Sequence, residues 1–115
     1  MIITKFEDII AWRKAGELTV SIYNDFRDCR DFSFNDQIKR ASVSIMNNIA
    51  EGFERQTNKE FKNFLFIAKG SSGEVRSMLY LAYKFKYINK ERFDFNYSLT
   101  VEISKLLSGL IKTLY

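Results

Sequence analysis

Apolar residues recur along this chain at steps of three and four, and polar clusters interrupt them at three places: Asp28 to Asn35, Gln56 to Asn58, and Asn89 to Arg92. That spacing is helical, with no alternation of the kind a strand shows, so the chain divides into four predicted helices. The first, about Phe6 to Phe26, carries Ala11, Ala15, Leu18, Ile22 and Phe26 on one face, with Ile9, Trp12 and Tyr23 widening the stripe. The second opens with Asn35 as the expected N-cap and runs to about Arg55, with Ile38, Ala41, Ile45, Ile49 and Gly52 inward. A second stripe, Lys39, Val43, Met46, Ala50 and Phe53, lies about a third of a turn away, and Arg40, Ser44, Asn47, Glu51 and Glu54 line the polar side.

The third segment starts at a capping box, Thr57-Asn-Lys-Glu60, and is expected to reach about Tyr87. Phe61, Leu65, Ala68, Ser72, Val75, Leu79, Ala82 and Lys86 form a seam over about 45 Å, while Phe64, Phe66, Ile67, Tyr80, Leu81 and Phe85 lie off it. The fourth, about Phe93 to Tyr115, sets Leu99, Ile103, Leu106, Leu110 and Leu114 on one face beside Leu107 and Ile111. Short connections return each helix alongside its predecessor, so the expected fold is an all-α, antiparallel up-down-up-down four-helix bundle, one domain over residues 1–115. The off-seam apolar residues exceed what one small bundle hides, and self-association is expected.

Composition narrows the chemistry. The chain has no His and one Cys, Cys29, which removes the Ser-His and Cys-His nucleophile pairs and every His-containing metal site. No catalytic residue, metal or other cofactor, or small-molecule substrate is inferred; Glu51 and Glu54 have no nucleophile near them in sequence, and Cys29 reads as an unreactive loop thiol. No apolar run approaches a membrane span and Met1 to Ile10 lacks a signal-peptide pattern, so a cytoplasmic location is expected. The net charge of +4 is unevenly placed, with 5 basic against 7 acidic residues up to position 38 and 13 against 7 beyond it.

Within that basic region Arg55, Lys62, Lys69 and Arg76 recur every seven residues, a row able to neutralise successive phosphates of RNA or DNA. The plainer reading is a solvated edge of the third-helix seam. Arg40, Asn48, Glu51 and Arg55 read as a polar network that sets register within the bundle or between subunits. Gly70-Ser71-Ser72-Gly73 is costly inside a helix, and close approach of another backbone is the expected compensation. Trp12, Tyr80, Tyr83 and Tyr87 offer rings to unpaired bases, against the commoner role of aromatic residues as core or interface anchors.

Three blocks of residues are familiar as a set. They are Phe6-x-Asp8 with Trp12, Ala15 and Leu18; Gln37-Ile-Lys-Arg40-Ala41-Ser-Val-Ser44-Ile45-Met-Asn-Asn48-Ile49-Ala50-Glu51-Gly52-Phe-Glu-Arg55; and Phe61, Phe64, Leu65 and Ala68 followed by Gly70-Ser71 and Glu74. With these the chain resembles the four-helix bundle proteins encoded in intervening sequences of large-subunit ribosomal RNA genes. The resemblance implies a cytoplasmic bacterial bundle that assembles as a homopentameric ring and has no enzymatic activity. That family is similar to the accessory variability protein of diversity-generating retroelements, a basic pentamer that binds nucleic acid. The chain departs from the family where Ser72 stands at a generally apolar position. Two functions follow as rivals: a nucleic-acid-binding bundle using the basic row, or a protein-interaction scaffold whose charge is incidental.

Overall fold

Side chains set where three of the four helices begin. In the computed structural model, which describes residues 2–115, α1 spans Ile10–Asp25, α2 Phe32–Phe53, α3 Asn58–Lys84 and α4 Lys90–Lys112. The Asp31 carboxylate accepts from the Phe34 amide at 3.2 Å, Thr57 Oγ1 from Glu60 at 3.1 Å, and Asn89 Oδ1 from Arg92 at 2.9 Å. Each satisfies an amide that the first turn leaves without a helical partner. The capping box at Thr57 is therefore present. Asn35, expected as the cap of α2, instead lies inside it, and its Nδ2 donates to the carbonyls of Phe26 and Cys29, clasping the preceding turn. Asp31 competes successfully because it stands at the actual chain reversal.

Two other boundaries differ from expectation. Phe6–Asp8 form a separate 3₁₀ turn, and Ile9 is extended before α1 starts. At the other end of α3, Lys86 adopts a φ of 65°, the Tyr87 amide donates to Ala82 O at 2.8 Å and the Lys86 amide to Tyr83 O at 3.0 Å. This is a Schellman closure, with lysine where glycine is usual. Lys86 thus leaves the seam, and the chain turns early enough for α4 to begin at Lys90, before the expected Phe93.

Cross-helix contacts show the direction of every neighbour. Between α1 and α2, Thr19 Oγ1 donates to Ser42 O, and Gly16 lies beside Met46. Gln37 bonds Glu74 and Ser44 bonds Ser71 between α2 and α3; Tyr80 bonds Tyr97 and Ser72 bonds Thr100 O between α3 and α4; Asp25 holds Arg92 and Ser21 holds Asn96 between α1 and α4. In each pair one number rises as the other falls, so all four contacts are antiparallel and the helices form a closed square. Leu18, Ile22, Phe26, Ile38, Ile45, Ile49, Leu65, Leu79, Ile103 and Leu107 are fully buried at its centre. Each such side chain contributes on the order of 1.5–3 kcal/mol of transfer free energy. On α4 the inward line is Leu99, Ile103 and Leu107, which leaves Leu106, Leu110 and Leu114 half-buried at its edges.

The expected close approach at Gly70 and Gly73 is absent. A Cβ at Gly70 would meet nothing within 4 Å, and one at Gly73 only the Arg76 Nη2 at 3.9 Å. The helix runs through this tract without interruption. The tight place is Gly52, where a Cβ would fall 2.5 Å from Phe64 Cβ and 3.1 Å from Phe61 Cδ1. Glycine is needed there because the end of α2 lies directly on the first turns of α3. Ser72 is fully buried and satisfies its hydroxyl by a bond to Thr100 O at 3.0 Å.

Candidate nucleic-acid interface

Residues seven apart on a helix lie within about 20° of one another around its axis, so each flank of α3 reads as a heptad row. One row, Ile67, Glu74 and Leu81, faces α2, because Glu74 Oε2 accepts from Gln37 Nε2 at 3.3 Å. The other, Lys62, Lys69, Arg76 and Tyr83, faces α4: Arg76 Nη1 reaches Ser104 Oγ at 3.5 Å and the Tyr83 ring lies 5.4 Å from Phe93. Three of the four basic residues expected in a row are therefore on one flank.

The fourth is not. Arg55 precedes α3 in the connection from α2, where its Nη2 donates to Glu51 at 2.6 Å, its Nη1 lies 4.0 Å from Glu60, and its guanidinium sits 4.8 Å over the Phe64 ring. Two carboxylates and a ring occupy it. The sequence period continued through a break in the helix, and the break rotates Arg55 to the α2 side.

From α4 the fold adds two cations that sequence reasoning missed. Lys69, Ser104, Lys105, Ser108, Gly109 and Lys112 line an open groove of about 450 Å³ between α3 and α4. Lys105 and Lys112 are seven apart, and that spacing was the available signal; only the antiparallel register shows that they meet Lys69. Among the described residues none of Lys62, Lys69, Arg76, Lys105 and Lys112 makes an ion pair. The mid-helix carboxylates of α3 and α4 turn away: Glu74 to Gln37 of α2, and Glu102 to Lys14 of α1 at 3.9 Å. The groove is left cationic, floored by small side chains and open to a ligand larger than itself.

Beyond Arg76 the same flank becomes aromatic. Tyr80, Phe93 and Tyr97 lie with ring centroids 5.4–5.7 Å apart, and Tyr80 donates its hydroxyl to Tyr97 Oη at 3.2 Å. That donated bond holds the Tyr80 hydroxyl protonated above the usual tyrosine range. Trp12 is instead half-buried beside Phe6 at 5.2 Å. Tyr87 is committed to Asp31, donating at 2.7 Å to the carboxylate that caps α2. Of the four rings offered to bases, Tyr80 and Tyr83 alone share the basic flank.

Within the chain, Arg40, Asn48, Glu51 and Arg55 do not join into one network. Arg40 is 79% exposed and bonds Asp36 one turn back at 2.8 Å, which raises its pKa; Glu51 and Arg55 pair with each other. Asn48 donates to the Ser44 carbonyl and hydroxyl, and Ser44 meets Ser71 at 3.0 Å. The register-setting contact is thus Asn48-Ser44-Ser71. A second polar cluster, which patterning missed, joins α1 to α4. Arg92 Nε donates to Asp25 at 3.0 Å and its Nη2 to Ser21 Oγ at 2.6 Å, Asn96 Nδ2 donates to Asp25 at 2.8 Å, and Ser21 donates to Asn96 Oδ1 at 2.6 Å. Every group is partnered, which makes burial of these polar atoms tolerable. Among the described residues no group of three His, Cys, Asp or Glu side chains is arranged to hold a metal ion, and no helix is long and apolar enough to cross a membrane.

Comparison with known proteins agrees with the fold. The family model described as 23S rRNA-intervening sequence protein matches residues 7–109. A crystal structure of a protein of unknown function from the S23 ribosomal protein family of Bacteroides thetaiotaomicron is 31% identical, covering 89% of this chain and 98% of its own, with a TM-score of 0.83. No curated protein matches.

Proposed function

We propose that this chain, which belongs to the 23S rRNA-intervening sequence protein family, binds nucleic-acid backbone non-enzymatically through the α3/α4 flank. One observation carries the reading. Five cations from two helices share a flank without an ion pair, while the mid-helix carboxylates Glu74 and Glu102 reach to other helices. Unpaired cations on a common surface raise its potential and attract polyanions, whereas the paired Arg40 and Arg55 contribute little.

Salt-dependent binding tests it. Each neutralised phosphate releases a condensed counterion, so changing Lys62, Lys69 and Arg76 together to Gln should lower the slope of log K against log salt by about 2–3. Changing Lys105 and Lys112 to Gln should lower it by about 1–2. An unchanged slope in both variants would overturn the reading.

A second observation favours self-association through the opposite flank. Ile67, Leu81 and Phe85 on the α2 side of α3 are each about half exposed, more apolar surface than a solvated edge requires. A homopentameric ring closed through that flank would leave the cationic groove open and repeat it around the axis, multiplying a modest contact by avidity. Light scattering should give five times the 13.6 kDa chain mass; a monomer would remove the ring. A ring that binds no nucleic acid would make the chain a protein-interaction scaffold.

A further inference from the structure

We infer that the strand recognised on the α3/α4 flank is unpaired, with phosphates along the lysines and bases stacked on Tyr80 and Tyr83; this rests on the nucleic-acid reading above. The heptad row that carries Lys62, Lys69 and Arg76 continues into Tyr83, and Tyr80 lies one turn beyond Arg76, about 6 Å along the axis. The two rings are 49% and 43% exposed. Phe93 backs both at 5.4 Å, meeting Tyr80 at 59° and Tyr83 at 42°, and Tyr97 meets Tyr80 edge-on at 79°. No neighbouring ring lies parallel against either tyrosine, in contrast to Phe93 and Tyr97, which stack on each other at 24°. Tyr80 is further fixed by its bond to Tyr97 Oη. Held, half-exposed rings next to an unneutralised cationic row are the two components of a single-strand site, a stacking platform and an electrostatic track.

The shape of the flank argues against a duplex. Two antiparallel helices packed about 8–10 Å apart, each about 10–12 Å across, present a surface near 20 Å wide. A B-form major groove is about 12 Å wide, so this surface meets a duplex only at its phosphates. Base faces inside a duplex are already stacked, which would leave Tyr80 and Tyr83 without a partner. Lys62 to Tyr83 spans about 31 Å of α3, long enough for several nucleotides of an extended strand.

The test compares unstructured single-stranded RNA of about 12 nucleotides, within the range of known single-strand site sizes, with a duplex of the same length and with heparin, by fluorescence anisotropy. The single strand should bind at least about tenfold more tightly than the duplex at equal salt, as stacking of one base is worth about that factor. Tyr80→Leu with Tyr83→Leu should remove that preference and leave heparin affinity and the salt slope unchanged, while Tyr80→Phe with Tyr83→Phe should retain it. Leucine keeps apolar packing on Phe93, and circular dichroism verifies the fold; the strand-to-duplex ratio of the unaltered protein stands whether or not the leucine variant folds. Equal binding to strand and duplex, or a leucine variant that keeps its preference, overturns the inference and leaves backbone binding intact. Absence of binding to all three polyanions overturns both. A leucine variant that loses its oligomeric mass along with its preference assigns the rings to a subunit contact and also overturns it.

Discussion

The two flanks of α3 are built from the same heptad spacing and differ in the side chains that line them. Toward α2 the contact is tight at one end, where Gly52 lies on Phe61 and Phe64, and polar at the middle, where Ser44 meets Ser71. It is fastened at the far end by the bond from Tyr87 to Asp31. Toward α4 the contact is lined by serine: Ser72 bonds Thr100 O, Ser104 bonds Ser72, and Gly73 has open space beside it. The α2 flank spends its aromatic side chains on packing and carries exposed apolar residues at its outer rim. The α4 flank, with small side chains, leaves a groove, and the groove is where the unpaired cations gather.

The largest effect should come from closing the tight end. Gly52→Ala places a Cβ 2.5 Å from Phe64 Cβ, so α2 and α3 must separate. The expected cost is about 3 kcal/mol despite alanine's better helix propensity, enough to lower the thermal midpoint by about 10–20 °C. A neutral Gly52→Ala would show that α2 does not lie directly on α3 at this end.

On the serine-lined flank, Ser72→Leu should cost about 2 kcal/mol, because the site is fully buried and its hydroxyl bond to Thr100 O is lost as bulk is added. A higher melting temperature would show an unfilled gap there. Gly70→Ala should act in the opposite direction to Gly52→Ala, stabilising by about 1 kcal/mol, since its Cβ meets nothing and the unfolded chain loses freedom. The same substitution with opposite signs at two glycines tests whether the close contact is confined to Gly52.

The smallest effect is a titration. Donation to Asp31, with a lesser contribution from burial, pushes the Tyr87 hydroxyl up from about 10 to about 12. A raised folded pKa means the contact's stabilisation is complete below pH 10 and is lost as pH rises through about 12. Ultraviolet absorbance should show a tyrosine ionising near pH 12 that is missing from Tyr87→Phe, while the raised Tyr80 is present in both. If the two titrations differ only by a tyrosine of ordinary pKa, the far end of the α2 flank is not fastened by this bond.

Helical periodicity was sufficient to identify the four helices, the fully buried line Leu65, Ala68, Ser72, Val75, Leu79 and Ala82, and the cap at Thr57, because each depends on residues a few positions apart. It was also sufficient to place Lys62, Lys69 and Arg76 on one stripe. Other features depend on residues distant in sequence. The period set Gly52 on the inward stripe of α2 and left Gly70 off the seam of α3, but that Gly52 is the glycine that matters follows only from the first turns of α3 lying on it. Arg55 left the row because the chain breaks between α2 and α3, and a numerical period continues through a break that a helix does not. Lys105 and Lys112 joined the groove only through the antiparallel register of α4 on α3. Local propensity and hydrophobic period therefore determined from the sequence alone which segments are helices and which faces turn inward. Which outward faces meet, and so which charges go unpaired on a common flank, was decided by packing, because that depends on how closely and in what register whole helices approach.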